Sequence, residues 1–101
     1  MISVMMLTYN REALVGRAIE SILGQTYPDF EFIIVDNGSI DHSGAIAEKY
    51  AAQDSRIRVI HRPRGNIGVG RNTALDIAQG EYLTFIDDDD WADSDFLDFL
   101  L

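Results

Sequence analysis

Four apolar segments alternate with segments of helical periodicity along this chain, and that alternation constrains its fold more than any other feature. The predicted strands are residues 2–7, 30–35, 56–61 and 82–86. The predicted helices are residues 12–23, 43–52 and 69–79. Strands joined by helical crossovers pair in parallel, with right-handed connections and helices on the faces of the sheet. The sequence therefore predicts an α/β protein with three α/β/α layers and a mainly parallel sheet of four strands.

Polar residues and glycines mark the expected helix ends. Asn10 is expected to cap the first helix, and Gly24 to follow it in the C′ position. Asp41 or Ser43 is expected to cap the second helix. Gly80 is expected to end the third helix.

The predicted segments differ in their expected burial. Arg56 and Arg58 alternate with apolar residues in the third strand, which is typical of a strand at the edge of a sheet. The apolar and β-branched residues 82–86 favour a fourth strand in the middle of the sheet. The inner residues of the third helix are predicted to be Val69, Ala74, Leu75 and Ala78. A last, acidic helix is predicted over residues 95–101.

Composition points to one small domain with a local concentration of acid. The chain has 101 residues, 47% of them hydrophobic, and no cysteine. It has no apolar run of about eighteen residues and no basic signal-peptide region, which favours a cytoplasmic protein. Residues 1–80 hold all 8 Lys and Arg and 9 of the 17 Asp and Glu, whereas residues 81–101 hold the other 8 acids and no base. We therefore expect cation binding, and no nucleic-acid binding, at the acidic end.

Four consecutive carboxylates, Asp87 to Asp90, follow the fourth predicted strand. At an effective dielectric of about 20, two such charges about 4 Å apart repel by roughly 4 kcal/mol. A divalent cation held by carboxylate oxygens would offset this repulsion, and a solvated acidic turn before the next helix is the alternative. In an extended chain Asp87 and Asp89 share one side and could share a metal, while Asp88 faces the other way, where it could bind ribose hydroxyls.

Polar residues also follow the first two strands, and parallel sheets of this kind bind ligands beyond the carboxyl ends of their strands. Tyr9 could stack on a flat ring or pack in the core. Asp36 and Asn37 could read the edge of a base or form a turn. Arg71, in the third helix, could reach a diphosphate or remain solvated.

Several common motifs are missing from the sequence. The glycines of residues 65–70 do not have the GxGxxG spacing, and they follow the third strand rather than the first. There is no P-loop and no GxSxG sequence. His42 and His61 are not spaced as a pair of zinc ligands.

Five ordered segments together resemble family 2 glycosyltransferases, which have the GT-A fold. The segments are residues 3–11, 21–31, 35–41, 66–72 and 80–91, and they cover nearly the whole chain. Their order and spacing both agree with the family, which makes the set far more specific than any one motif. The resemblance implies a Rossmann-like fold in which residues 1–101 form the nucleotide-sugar-binding half of the domain, with the acceptor-binding half absent.

The resemblance also implies which residues bind the donor. They are Leu7, Thr8, Tyr9, Arg11, Asp36, Asn37, Arg71, Asp87 and Asp88. The backbone around Leu7 and the ring of Tyr9 would hold the base, and Asp36 and Asn37 would bound the base pocket. Arg71 would approach the diphosphate.

The acidic run would supply the rest of the implied site, as a DXD motif. Asp88 would approach the ribose. Asp89 would ligate Mg²⁺ or Mn²⁺, with Asp87 in a direct or water-mediated role. The metal would neutralise the leaving nucleoside diphosphate during inverting transfer of the sugar to an acceptor hydroxyl.

The chain departs from the family pattern in three respects. Leu7 stands where proline is usual, which should affect the rigidity of the loop more than the chemistry. Asn37 stands where a second aspartate is usual, so the base is open although a UDP-sugar is the expected donor. Family members also continue into an acceptor region with the catalytic base, which Asp93, Asp95 and Asp98 do not match. We therefore expect a fragment that is inactive alone and has no catalytic residue of its own.

Two other hypotheses remain open. One is a small non-enzymatic α/β module that binds cations or a protein partner through its acidic cluster. The other is self-association of a truncated chain through an exposed strand edge. Peripheral membrane association is expected only of a full-length protein.

Overall fold

The computed structural model describes residues 1–88 and Leu97, and it follows the predicted alternation of strands and helices. The strands are β1 (Ile2–Thr8), β2 (Phe30–Asp36), β3 (Ile57–His61) and β4 (Tyr82–Phe85). The helices are α1 (Val15–Leu23), α2 (Ser43–Gln53) and α3 (Ile67–Ile77). All strand pairs are parallel, in the order β3-β2-β1-β4. The predicted α/β class and parallel sheet are confirmed, whereas Asp89, Asp90 and all but one residue of the predicted last helix lie outside the described residues.

The helices cover both faces of the sheet. Successive side chains of a strand point to opposite faces, so each face contributes to a core of its own. Val4 and Met6 of β1 belong to a core that includes Ile19 of α1. Met5 belongs to a second, smaller core with Ala74 of α3. The chain crosses from β1 through β2 to β3 and then returns past β1 to β4. Connections of one hand place the returning helix on the opposite face, which produces the three predicted layers.

The two edge strands of the described sheet are β3 and β4. The edge position predicted for the third strand is confirmed. The central position predicted for the fourth is wrong among residues 1–88, where β4 pairs with β1 alone. Tyr82 and Leu83 of β4 are 55% and 52% exposed. An apolar run indicates contact with a core, but it does not determine how many strands lie beside it.

The start of α1 differs from its prediction, because Asn10 is not its cap. The helix begins at Val15, and the backbone of Asn10 has a positive φ of 51°. The Asn10 side chain accepts a hydrogen bond from the N–H of Ile40 at 2.9 Å. The N–H groups of residues 10–12 bond to side chains of the β2–α2 loop and of α2 instead of starting a helix.

The third helix is shifted relative to its prediction. Asn66 caps it by accepting a hydrogen bond from the N–H of Val69 at 2.9 Å, so the helix begins two residues earlier than predicted. Ala74 is buried as expected, but Val69 and Leu75 are 39% and 40% exposed. No helix in the described part of the chain combines the length and the apolar character that crossing a membrane requires.

Gly80 lies against β1 rather than at the end of α3, which stops at Ile77. Its N–H donates a hydrogen bond to the Ser3 hydroxyl at 2.8 Å. A Cβ atom at residue 80 would lie 2.6 Å from the backbone nitrogen of Ser3, which is closer than nonbonded atoms approach. This position therefore needs glycine because β1 passes so close to it.

We expect Gly80→Ala to lower the free energy of unfolding by about 1–3 kcal/mol, because β1 would have to shift away from the new methyl group. Gly16→Ala in α1 is the matched control, since its Cβ would meet its nearest atom, the Tyr50 hydroxyl oxygen, at 3.6 Å. That control should raise stability by about 0.5–1 kcal/mol, because alanine is the better helix former. Urea unfolding measures both. Equal effects of the two substitutions would contradict the close approach at Gly80.

Candidate functional site

A cavity of about 270 Å³ lies at the carboxyl ends of β1 and β4. Its lining residues are Leu7, Thr8, Tyr9, Arg11, Asn37, Ile67, Arg71, Phe85, Ile86, Asp87 and Asp88. Helices that follow β1 and precede β4 lie on opposite faces of the sheet, and such a switch in topology leaves a crevice between the two strands. Eight of the sequence-predicted site residues line this cavity. Asp36 does not line it, and Asp89 lies outside the described residues.

The loop after β1, residues 9–12, forms one wall of the cavity, and its backbone is held by side chains from elsewhere. Each of its four consecutive N–H groups donates a hydrogen bond to a side-chain oxygen. In chain order the acceptors are Asp88 Oδ2, Ser39 Oγ, Ser43 Oγ and Asp41 Oδ2, at 3.3, 3.0, 2.7 and 3.1 Å. The loop is thus fixed to the end of β4 on one side and to the start of α2 on the other.

The two described aspartates of the acidic run have different surroundings. Asp88 is largely buried, and besides accepting from the Tyr9 N–H it lies 3.5 Å from Nε of Arg11. Asp87 is exposed at the cavity. Within residues 1–88 and Leu97, no group of three His, Asp or Glu side chains could hold a metal ion. Asp87 can nevertheless supply one carboxylate to a cation whose remaining ligands are water and phosphate oxygens.

Asp36 bonds to the loop between β2 and α2 and to His61, and it does not line the cavity. One of its carboxylate oxygens accepts a hydrogen bond from the N–H of Ser39 at 3.0 Å, and the other lies 2.9 Å from Nδ1 of His61. Nε2 of His61 lies 2.9 Å from a carboxylate oxygen of Glu48. Hydrogen bonding to Asp36, and then to Glu48, raises the pKa of His61. A side chain at Gly44 would collide with the Asp36 carboxylate, so the pair depends on that glycine.

Asn37 lines the cavity, but its amide group is bonded to a neighbouring loop. Its Nδ2 donates to the carbonyl of Gly65 at 2.8 Å, and its Oδ1 accepts from the Gly65 N–H at 3.1 Å. The next residue back in that loop, Arg64, places its guanidinium carbon 4.4 Å from the centre of the Tyr9 ring. Sequence reasoning missed both contacts, because they join loops that no periodicity or spacing relates.

The apolar part of the cavity was also missed. Ile67, Phe85 and Ile86 line it, and the guanidinium carbon of Arg71 lies 4.9 Å from the centre of the Phe85 ring. The apolar character of residues 82–86 predicted a strand but not a ligand site. Residues 85 and 86 stand just before the acidic run, and that position was the signal that they line the cavity. The cavity therefore combines aromatic and apolar surface with arginines and carboxylates, which suits a ligand with a flat ring and an anionic group.

Known proteins match this chain over nearly its whole length. The model of glycosyl transferase family 2 matches residues 3–101. An uncharacterised glycosyltransferase, EpsJ of Bacillus subtilis, is 44% identical over 94 residues, which are 93% of this chain and 27% of EpsJ. The chain thus spans less than a third of the length of this relative.

Solved structures agree with this match. S. aureus TarS in complex with UDP-GlcNAc is similar, with a TM-score of 0.90 and 33% identity, over 98% of this chain and 29% of that one. The mannosyltransferase PcManGT from Pyrobaculum calidifontis, in complex with GDP-Man and Mn²⁺, has a TM-score of 0.83 and 26% identity, over 89% of this chain and 28% of that one.

The hydrogen bonds of His61 to Asp36 and Glu48 make the free energy of unfolding depend on pH. Because its pKa is raised in the folded state, its contribution is present in full below the unfolded value of about 6.5. That contribution is lost as the pH rises through the higher pKa of folded His61. The free energy of unfolding, measured in urea between pH 6 and 8.5, should fall with pH in the wild type and fall less in His61→Gln. Equal slopes in the wild type and His61→Gln would contradict the pairing.

Proposed function

Because the chain belongs to glycosyl transferase family 2, we propose that its cavity binds a nucleoside-diphosphate sugar, with a UDP-sugar as the first candidate. The observation that carries the proposal is the convergence of eight motif residues, from four separate parts of the sequence, on one cavity. The binding of UDP-GlcNAc by the similar protein TarS supports it.

The contacts of the cavity favour a particular orientation of the donor. Tyr9 offers an aromatic ring for the base, and Asn37 lines the same cavity. Arg71 is exposed in the first turns of α3 and can pair with a diphosphate. Asp88 is held close to the β1 loop by Tyr9, and its carboxylate can accept from ribose hydroxyls there.

A divalent cation belongs to this proposal. Mg²⁺ and Mn²⁺ take oxygen ligands and commonly bind through one or two carboxylates together with substrate phosphates. Asp87, exposed at the cavity, and Asp89, the next residue but one, would supply those carboxylates. When bound, the cation would stabilise the negative charge of the leaving nucleoside diphosphate. The Mn²⁺ in the similar PcManGT complex supports a metal-dependent site.

For this chain we propose donor binding and not complete transfer. Inverting transfer needs a base that deprotonates the acceptor hydroxyl. The family places that base beyond the acidic run, and no carboxylate in residues 91–101 matches its motif. EpsJ and the chains of the TarS and PcManGT structures are each more than three times as long as this chain.

Titration calorimetry with UDP and GDP, each with and without Mn²⁺, tests donor binding. We expect UDP to bind more tightly than GDP, and Mn²⁺ to strengthen the binding, because the cation offsets repulsion between diphosphate and carboxylates. Binding of Mn²⁺ without either nucleotide would favour the non-enzymatic cation-binding module. Absence of binding by both nucleotides, in both conditions, would overturn the proposal.

Asp87→Asn should reduce the gain in UDP affinity that Mn²⁺ confers by about tenfold, the lower end of the effect of removing a group that supports a bound metal. It should leave UDP binding without metal unchanged or slightly stronger, because one negative charge near the diphosphate is gone. Asp76→Asn, an equal change of charge on the exposed side of α3, is the matched control. The same loss in both variants would mean that overall charge, and not a metal site, controls the affinity.

A further inference from the structure

The loop between β3 and α3, residues 62–66, is fixed against the end of β2 by three hydrogen bonds. The N–H of Arg62 donates to the carbonyl of Asp36 at 3.0 Å. The Asn37 amide both donates to and accepts from Gly65, at 2.8 and 3.1 Å. We name this last pair of bonds the Asn37–Gly65 clamp. Because Asn37 is 93% buried, these bonds form with little competition from water.

Close packing holds the same loop from a second direction. Gly38 has a positive φ of 80°, and a Cβ atom there would lie 2.5 Å from the backbone nitrogen of Arg64. The backbone of Arg64 therefore lies directly against the Gly38 backbone. In the chain it stands between the Asn37–Gly65 clamp and the hydrogen bond of Arg62 to Asp36. A long, exposed arginine side chain thus starts from a well-fixed point in the chain.

The Arg64 guanidinium lies on Tyr9, with 4.4 Å between its central carbon and the ring centre. Stacked aromatic rings keep their centres roughly 4.5–7 Å apart, so a base cannot enter between the guanidinium and the ring. Tyr9 lines the cavity whereas Arg64 does not. The guanidinium therefore contacts the ring without belonging to the lining of the cavity.

We propose that Arg64 is a positioning residue for the base of the donor, held on the Tyr9 ring by the Asn37–Gly65 clamp. This inference rests on the proposed nucleotide binding and adds to it a contact outside the lining of the cavity. The clamp requires a side chain that donates and accepts at once. Asparagine does both, whereas an ionised aspartate only accepts and would face the Gly65 carbonyl with a negative charge.

The proposal makes distinct predictions for substitutions of the arginine and of the clamp. Arg64→Ala should weaken UDP binding about two- to fivefold, the size expected for an exposed cation–π contact. Asn37→Asp should weaken it in the same direction, although aspartate is the usual residue of the family at this position, because the clamp loses its donor. Arg56→Ala is the matched control, since Arg56 also stacks on a ring, that of Phe30 at 4.2 Å, but lies away from the cavity. It should leave UDP affinity unchanged.

Inorganic pyrophosphate separates positioning of the base from simple attraction of a cation to the diphosphate. Its affinity, measured by titration calorimetry in Mn²⁺, should be the same for the wild type and Arg64→Ala if the arginine acts through Tyr9. An equal loss for pyrophosphate and UDP would overturn the proposal, and so would unchanged UDP binding by Arg64→Ala. If wild-type protein binds no nucleotide, the proposed function fails and this inference with it. If wild type binds and the Arg64 variant binds equally well, the inference alone fails.

The Asn37–Gly65 clamp can also be tested without a ligand, by hydrogen exchange. In wild-type protein the Gly65 N–H is bonded to the Asn37 side chain, so its hydrogen exchange should be slow for a residue in an exposed loop. Asn37→Ala should speed that exchange, and it should shift the Tyr9 ring resonances as Arg64→Ala does. Tyr9 resonances that respond to Arg64→Ala but not to Asn37→Ala would overturn the link between the clamp and the arginine.

Discussion

The site depends on a requirement of the backbone: four consecutive N–H groups leave β1 without strand or helix partners and must be satisfied otherwise. The hydrogen bonds of Tyr9, Asn10 and Arg11 are partly buried, and a donor left there without an acceptor would cost about 1–3 kcal/mol. Here side chains from the β2–α2 loop, the first residue of α2 and the end of β4 supply every acceptor. The arrangement fixes the shape of the cavity before any ligand arrives, because the same bonds that satisfy residues 9–12 set where the other elements end.

This requirement also explains why polar residues that look alike have different surroundings. Asp41 and Asp88 accept backbone hydrogen bonds of the β1 loop, and Asp36 accepts from its own loop and from His61. Asp87 is exposed at the cavity. The alternatives of turn chemistry and ligand binding are therefore not exclusive for these residues. Asp88 and Asn37 both line the cavity while their side chains hold neighbouring loops together.

The sequence predicted the class of the fold, the segments of the sheet and most of the cavity, because each depends on local periodicity or on where parallel strands end. It could not predict that β4 is an edge of the described sheet, since apolar character reports burial and not the number of neighbouring strands. It placed the cap of α1 at Asn10 because residue preference alone decided the matter. In the structure, side chains of the β2–α2 loop and of α2 accept hydrogen bonds from the N–H groups near Asn10. These acceptors are distant in the sequence, so residue preference at Asn10 does not reveal them. The stacking of Arg64 on Tyr9 has the same origin, since it joins residues 55 positions apart.

Arginines and aspartates line the same small cavity, and this has a thermodynamic consequence. An anion that enters alone is attracted by Arg11 and Arg71 but opposed by Asp87 and Asp88, and a cation that enters alone meets the reverse. Arg11 and Asp88, for example, are 3.5 Å apart, which is shorter than the Debye length of about 8 Å at physiological ionic strength, so dissolved salt does not cancel the force between them. An anionic ligand and a cation that enter together relieve each other. Such linkage is reciprocal, so the factor by which the cation strengthens binding of the anion equals the factor by which the anion strengthens binding of the cation.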